Sequence, residues 1–344
     1  MAAVIGWDVG GANVKAARIA IGGDDLAPTV VERAFALWRD PKRLPEVLGE
    51  VATSLGGATR MAVTMTAELA DCFATKREGV GSVLDAFAIA FPATPATIYG
   101  VDGAFHSPEE ARRHPLRVAG ANWMASATLV AESFPDTVFI DVGSTTTDIV
   151  PIVGGRVAAR GRTDTGRLRR GELVYTGALR TPVCAIVRSV LLRGRRCRVA
   201  AEHFAIAADA HLWLGRIAAA DYSCETPDAR GREREDAAAR LARVVCADLE
   251  MLGPADVTAI AKCVARAQVE HIGSGIRQAL RRLGSAAPRT AALAGCGAFL
   301  AREAAEKASL APCGLESRLG SAAARSTPAA AVAHLLARIA DAPR

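Results

Sequence analysis

Residues 140–150 read IDVGSTTTDIV, an acid directly after an apolar run, then a glycine, four hydroxyl residues and a second acid. Residues 5–17, IGWDVGGANVKAA, are a partial echo: Asp8 aligns with Asp141, Val9 with Val142, Gly10 with Gly143, Gly11 with Ser144 and Lys15 with Asp148. A strand that ends in an acid and turns on glycine has a use in phosphate chemistry. Glycine lets backbone N–H groups approach a phosphate with no Cβ in the way. The hydroxyls of Ser144, Thr145 and Thr146 add donors, and the carboxylate can hold a magnesium ion directly or through water. Either hairpin alone reads as a plain strand turn. The pair, in matching register and each opening a half of the chain, is the pattern expected of two hairpins that clamp a polyphosphate across a cleft.

A third element, LAGCGAF at 293–299, runs a strand through GxG into a helix. Leu300 stands where the dinucleotide fingerprint has its third glycine, so a Rossmann NAD site is excluded. No GxxxxGK[ST] stretch occurs, which excludes a P-loop enzyme. The eight cysteines never fall at CxxC spacing, and the six histidines form no ligand pattern, so zinc and dithiol chemistry are not expected.

The elements that position these residues belong to a chain of 344 residues whose 51% hydrophobic content suits two domains rather than one core. The balance of 42 basic and 36 acidic residues is mild, and aromatics are 5%, which argues against a nucleic-acid binder. The N-terminus has no signal-peptide pattern, and no apolar run reaches about 18 residues, so a cytoplasmic protein with no membrane span is expected. Lysine is scarce, which draws attention to Lys15 and Lys76. Strands are expected at 3–9, 14–21, 30–38, 60–66 and 97–103, with helices at 44–55, 82–91 and 118–134. The pattern restarts at 137–160 as strand, turn, strand, turn, strand. Residues 200–285 read as mostly helical, with 227–236 a charged loop and 193–198 a basic surface run. The final helix, 327–340, has Thr327 as its expected N-cap and Pro328 at its first position. Domain boundaries are set at 1–135, 136–326 and a C-terminal helical element 327–344 packing back on the core.

The two hairpins and the late glycine turn resemble the superfamily of sugar kinases, actin and heat-shock chaperone ATPases. The resemblance implies a two-domain α/β fold, actin-like and ribonuclease H-like, with a duplicated mixed sheet and its ligand in the cleft between domains. It implies that Asp8, Gly10, Gly11, Asn13 and Lys15 form one phosphate clamp. Asp141, Gly143, Ser144, Thr145, Thr146 and Asp148 form the other. Gly295 and Gly297 would floor a nucleoside pocket if a nucleoside binds.

Five further segments are more distinctive: MTAELADCFATKREGV (65–80), YGVDGAF (99–105), GANWMASA (120–127), RRGELVYTGALRTPV (169–183) and the stretch around LARVVCADLEML. They resemble a branch of the hydantoinase/oxoprolinase proteins linked to tetrahydromethanopterin one-carbon metabolism, similar to (aminomethylfuranyl)methanamine synthases. The resemblance implies a transferase of methanofuran or methylofuran synthesis. It joins aminomethyl-furanmethanol diphosphate to the phenol oxygen of a γ-glutamyltyramine or tyrosine-type acceptor and releases diphosphate. Asp8 and Asp141 would hold magnesium. A base must take the phenol proton, and Glu68 and Asp71 are candidates for that role or for binding the aminomethyl ammonium. Lys76 suits a phosphate or carboxylate, Arg170, Tyr175 and Arg180 suit the acceptor, and Asn122 and Trp123 suit a ring pocket. Each has a plainer reading: helix-end charge for Glu68 and Asp71, a solvated charge for Lys76, core for Trp123, and a solvated face for Arg170. ATP is not required, because the leaving group is already activated. The alternatives keep the fold but use ATP, as a small-molecule kinase or an amide hydrolase, or act as a nucleotide-dependent scaffold. A homodimer is left open.

Overall fold

The computed structural model describes residues 2–22, 28–315, 320, 324 and 326–341. Residues 342–344 of the expected C-terminal element lie outside the described residues. Along the chain run β1 (Ala3–Val9), β2 (Asn13–Ala20), β3 (Thr29–Ala34), α1 (Leu44–Ser54), β4 (Arg60–Met65), α2 (Lys76–Ala90), β5 (Ala96–Tyr99), β6 (Phe105–His106), α3 (Pro108–Arg113) and α4 (Asn122–Ser133). There follow β7 (Thr137–Val142), β8 (Thr147–Val153), β9 (Arg156–Val157), α5 (Asp164–Leu168), β10 (Leu173–Val174), α6 (Val183–Ile186), β11 (Ser189–Leu192) and β12 (Arg195–Arg198). The chain closes with α7 (Ala207–Trp213), α8 (Arg234–Arg243), α9 (Pro254–Leu280), β13 (Thr290–Ala294), α10 (Ala298–Lys307), β14 (Ala311–Gly314) and α11 (Thr327–Asp341). The chain forms two compact units, one of 1–137, 150–167 and 314–344, the other of 138–149 and 168–313.

The first unit is built on a sheet ordered β3-β2-β1-β4-β5-β6. β1, β2 and β3 are antiparallel neighbours, and β4 and β5 continue parallel to β1. This is the strand order of the ribonuclease H-like fold, and the second sheet, β10-β8-β7-β13-β14 with β9 paired to β8, repeats its plan. The molecule is therefore a duplicated, actin-like α/β protein. Strand β1 is buried on both faces. Ile5, Trp7 and Val9 face a core shared with α1 and α2, where the Trp7 ring meets Phe87 edge-on at 5.6 Å. Gly6 faces the other way, where a Cβ would fall 2.1 Å from the Ala329 carbonyl oxygen, so α11 lies directly on the strand.

In the second unit β7 and β13 run parallel, with Val138, Ile140 and Val142 packed against Val269, Ile272 and Ile276 of α9. Behind them Arg240 and Asp209, both fully buried, form an ion pair at 2.8 Å. Burial pushes the Asp209 carboxyl up, but Arg240 Nε, the Tyr222 hydroxyl and the Ile206 N–H all donate to it and hold it as a carboxylate. Arg240 also donates to Asp228 and to the Gly231 carbonyl. The charged loop of 227–236 is thus tied to the core through one buried guanidinium.

Element ends add detail to the sequence reading. Within 200–285, read as mostly helical, α8 stops at Arg243, and Cys246 beyond it is left-handed at φ 58°. The basic run at 193–198 is at the surface as expected, as the turn and second strand of a β-hairpin, β11–β12, with Cys197 half-buried between exposed arginines. Thr327 lies inside α11 rather than capping it, and its hydroxyl donates to the Ala324 carbonyl. Among the described residues no helix is long and apolar enough to cross a membrane.

Candidate functional site

The turn after β1 closes with Gly10 N–H donating to the Asn13 carbonyl at 2.9 Å. Residues just past β3 take its other carbonyls: Leu37 N–H donates to Gly11 O and Phe35 N–H to Ala12 O, each at 2.9 Å. The N–H groups of Gly11 and Ala12 find no protein acceptor among the described residues. With its acceptors engaged and its donors outward, the turn has the polarity of an anion site. Neither Gly10 nor Gly11 is left-handed. A Cβ at Gly11 would meet nothing nearer than Ala70 Cβ at 3.8 Å, so the protein itself does not require glycine there. Asp8, half-buried, pairs across the sheet with Lys15 on β2 and Thr64 on β4. Lys15 in turn pairs with Glu32 on β3, its ammonium 3.7 Å from that carboxylate. The lysine expected to meet phosphate thus also has a protein counter-ion.

The turn after β7 repeats the closing bond, Gly143 N–H to Thr146 O at 2.9 Å. Its carbonyls are taken by the segment that follows β10. Ala178 N–H donates to Gly143 O at 2.9 Å, and Leu179 and Arg180 N–H donate to Ser144 O at 3.1 and 2.8 Å. The N–H groups of Ser144 and Thr145 again find no acceptor among the described residues. Gly177 lies so close that a Cβ would stand 2.5 Å from Ser144 C and Thr145 N. This segment is held from behind by Gln268 of α9, fully buried, whose amide donates to Thr176 Oγ1 at 2.9 Å and Gly177 O at 2.8 Å. The Gln268 carbonyl oxygen is 2.9 Å from His211 Nε2, which makes Nε2 the protonated nitrogen. Burial lowers the His211 pKa to about 4, so the ring is neutral. Asp141 is half-buried at the end of β7, and Asp148, where the first hairpin has Lys15, is buried.

A third group gathers beside the first turn. Gly10 lies next to the Thr66 hydroxyl, and two residues on Glu68 is buried, 2% exposed. Helix α2 packs on it through Gly79, where a Cβ would fall 2.5 Å from Glu68 Cα and O. Thr75 caps that helix by accepting from Glu78 N–H, and the Glu78 carboxylate accepts from Ala74 N–H. The cap sets Lys76 at the first helical position, where the helix dipole disfavours a cation. Carboxylates hold it there: Lys76 Nζ lies 3.2 Å from Glu68 Oε1 and 2.5 Å from Asp164 Oδ2. Burial pushes the Glu68 carboxyl up, with Lys76 pulling the other way. Burial also works against the Lys76 charge, but Glu68 and Asp164 more than offset it and hold the ammonium above its ordinary value. Glu68 Oε2 is buried with no protein partner among the described residues. Gly120, left-handed at φ 60°, leaves room against both acids, where a Cβ would stand 3.3 Å from Asp164 Oδ1 and 3.7 Å from Glu68 Oε1.

The remaining expected residues scatter. Asp71 is exposed. Asn122 is half-buried at the start of α4, its carbonyl accepting from Ser126. Trp123 is 2% exposed, and the Arg167 guanidinium covers its ring face at 4.2 Å, so its face already has a cationic partner. Arg170 and Arg180 are half-buried, while Tyr175 is 62% exposed. The missing Cβ atoms of Gly295 and Gly297 are used by the protein itself: they would fall 2.3 Å from Asp141 Oδ1 and 2.4 Å from Val142 Cγ1. Those glycines let the late turn rest on the end of β7. Sequence reasoning missed Asp164, Gly120, Gly177 and Gln268. Gly177 lies inside a segment singled out as distinctive, and Asp164 is hidden in the basic stretch RGRTDTGRLRR.

Comparison with known proteins gives the chain its relatives. The family described as Hydantoinase/oxoprolinase matches residues 60–339, which leaves the first hairpin outside the match. A protein of Methanocaldococcus jannaschii named (4-{4-[2-(gamma-L-glutamylamino)ethyl]phenoxymethyl}furan-2-yl)methanamine synthase is 40% identical over 250 residues, 72% of this chain and 73% of that protein. A protein of the same name from Methanococcus vannielii is 41% identical over 115 residues, 33% of this chain and 51% of its own. Among solved structures, a nucleotide-free acetone carboxylase aligns with 95% of this chain and 70% of its own at a TM-score of 0.54 and 10% identity, a likeness of fold.

Proposed function

We propose that this chain, which belongs to the hydantoinase/oxoprolinase family, is a transferase that joins an aminomethyl-furanmethanol diphosphate to a phenol and releases diphosphate. The observation that carries this reading is the 40% identity, over 72% of the chain, to a protein whose named product contains a phenoxymethyl-furan link and a primary amine. Making that link requires one C–O bond to break and one to form. The furfuryl carbon parts from the diphosphate oxygen, which leaves with the bonding pair. The phenol oxygen attacks that carbon and gives up its proton. The furan oxygen stabilises positive charge at the carbon as the leaving group departs.

This chain's residues suit those tasks. Each turn by itself offers N–H groups with no protein acceptor among the described residues, donors that suit diphosphate oxygens, which develop charge as the bond breaks. The acceptor is a γ-glutamyltyramine or a tyrosine-type phenol. Glu68 is the proton acceptor: it is buried, its pKa is raised, and Oε2 has no protein partner among the described residues. Among the described residues no three acidic, histidine or cysteine side chains converge on one point. Asp8 at the first turn and Asp141 at the second would each offer magnesium the carboxylate oxygen that this hard cation prefers. When bound, it would neutralise charge on the departing diphosphate.

The test is a phosphorus NMR time course with magnesium, with the furanmethanol diphosphate and a tyrosine-type phenol in one tube and ATP with the same phenol in another. Free diphosphate that accumulates only when both partners are present, with ATP untouched, is the expected result. ATP turning over to ADP while the furan diphosphate stays intact would overturn it in favour of an ATP-dependent kinase or hydrolase.

A further inference from the structure

We infer that Asp164 is a positioning residue for Glu68: by sharing the Lys76 ammonium, it leaves Glu68 able to accept a proton from the substrate. The inference rests on the reading of Glu68 as the proton acceptor. A buried carboxylate beside a lysine of its own is fully neutralised and a poor base, while a buried carboxyl with no cation nearby stays protonated and cannot accept. Glu68 lies between these limits because Lys76 has two partners. The lysine nitrogen is closer to Asp164 Oδ2, at 2.5 Å, than to Glu68 Oε1, at 3.2 Å.

The local fold has no evident need for this arrangement. Asp164 comes from 88 residues further along the chain and begins its own short helix, α5. Lys76 stands where the α2 dipole opposes it. Gly120 adopts a left-handed backbone beside both acids, so no side chain presses on them. The charged groups on the elements packed around Glu68 are few. Asp8 lies on β1 and Asp71 is exposed. Arg77 is turned to the Arg112 carbonyl, Glu78 to its helix cap, and Arg162 to the Val101 carbonyl. Lys76 and Asp164 are the two that act on Glu68, with opposite signs. The two carboxylates, Glu68 and Asp164, meet the same lysine nitrogen, close enough for the charge of one to act on the other.

The experiment compares wild type, Asp164→Asn and Lys76→Gln in the full chain. In each, the Glu68 carboxyl is followed by carbon-13 NMR across pH, assigned by its disappearance in Glu68→Gln, and kcat/KM is measured over the same range. Asp164→Asn is expected to lower the Glu68 titration and the acid limb of the rate profile together, by about one unit. Lys76→Gln is expected to raise both. A purely structural contact would not move the two variants in opposite directions. A Glu68 titration unmoved in Asp164→Asn, or moved the same way in both variants, overturns the inference. Asp164→Ser carries the same expectation if Asp164→Asn does not fold. The NMR titration decides this whether or not the protein turns over the furan diphosphate, so a failure of the proposed reaction is seen separately in the rates.

Discussion

The turns after β1 and β7 share a closing bond of 2.9 Å and a pattern of engaged carbonyls, yet they are built differently around it. The first is braced by residues 35–37, which simply continue from β3, and a Cβ at Gly11 would meet only Ala70 Cβ, at 3.8 Å. The second is braced by a separate segment after β10, pressed against the turn by a glycine and held from behind by Gln268 and His211. Charge differs as well. Asp8 has Lys15 across the hairpin, whereas the second hairpin carries Asp148 in the aligned place. The two turns share the acid, the valine and glycine that follow it, and their backbone polarity, while their supports differ. Glycine at the first turn leaves a Cβ-sized space that the protein does not fill, whereas glycine at the brace of the second makes room for the protein.

Substitutions can break or sharpen that contrast. Gly177→Ala should have the largest effect, because a Cβ 2.5 Å from the Ser144–Thr145 backbone forces the brace off the turn. Urea unfolding should show a loss of about 3 kcal/mol, with activity lost alongside. Asp8→Asn and Asp141→Asn should each lower kcat by about 100-fold with an unchanged circular dichroism spectrum. Full turnover in either soluble variant would remove that hairpin from the reaction. Gly11→Ala should be the mirror of Gly177→Ala. Stability should change by no more than about 0.5 kcal/mol, while the KM for diphosphate substrate rises about tenfold and that for the phenol stays put. An unaltered KM would mean that the space at Gly11 has no ligand to serve.

The smallest effect concerns the support of the second turn. A His211 pKa lowered to about 4 means that the fold favours the neutral ring. The stability this contributes is fully present above the unfolded value near 6.5 and is lost as pH falls from there towards 4. His211→Gln keeps an N–H donor but binds no proton, so its unfolding midpoint should fall less steeply over that interval. Equal slopes for variant and wild type would show that the ring is already charged in the native protein.

Much of this was legible in the sequence because it is local. The two acid-glycine turns are written in consecutive residues, and β1, β4 and β7 show as apolar runs ending beside them. Helix α4 begins at Asn122 rather than at 118 because Gly120 turns left-handed, a choice that Glu68 and Asp164 explain and periodicity does not. Asp164 and Gln268 were invisible for a related reason. Each acts on a partner about ninety residues away in sequence, Lys76 for Asp164 and Gly177 for Gln268, and spacing carries no signal at that range. The contact of Gly295 and Gly297 with the end of β7 has no mark in the sequence, since a glycine that admits a neighbouring strand end and one that admits a ligand look alike there.

The seat of α11 on Gly6 bears on the order in which the chain can fold. Strand β1 leaves the ribosome long before the helix that covers one of its faces, which begins only at Thr327. The second compact unit is completed by residue 313, before that helix exists. During synthesis at about 5–20 residues per second, the later-encoded unit can therefore mature while the earlier strand waits with an apolar face uncovered. That interval is when a nascent chain of this kind has most need of a chaperone, and shortening or weakening α11 would prolong it.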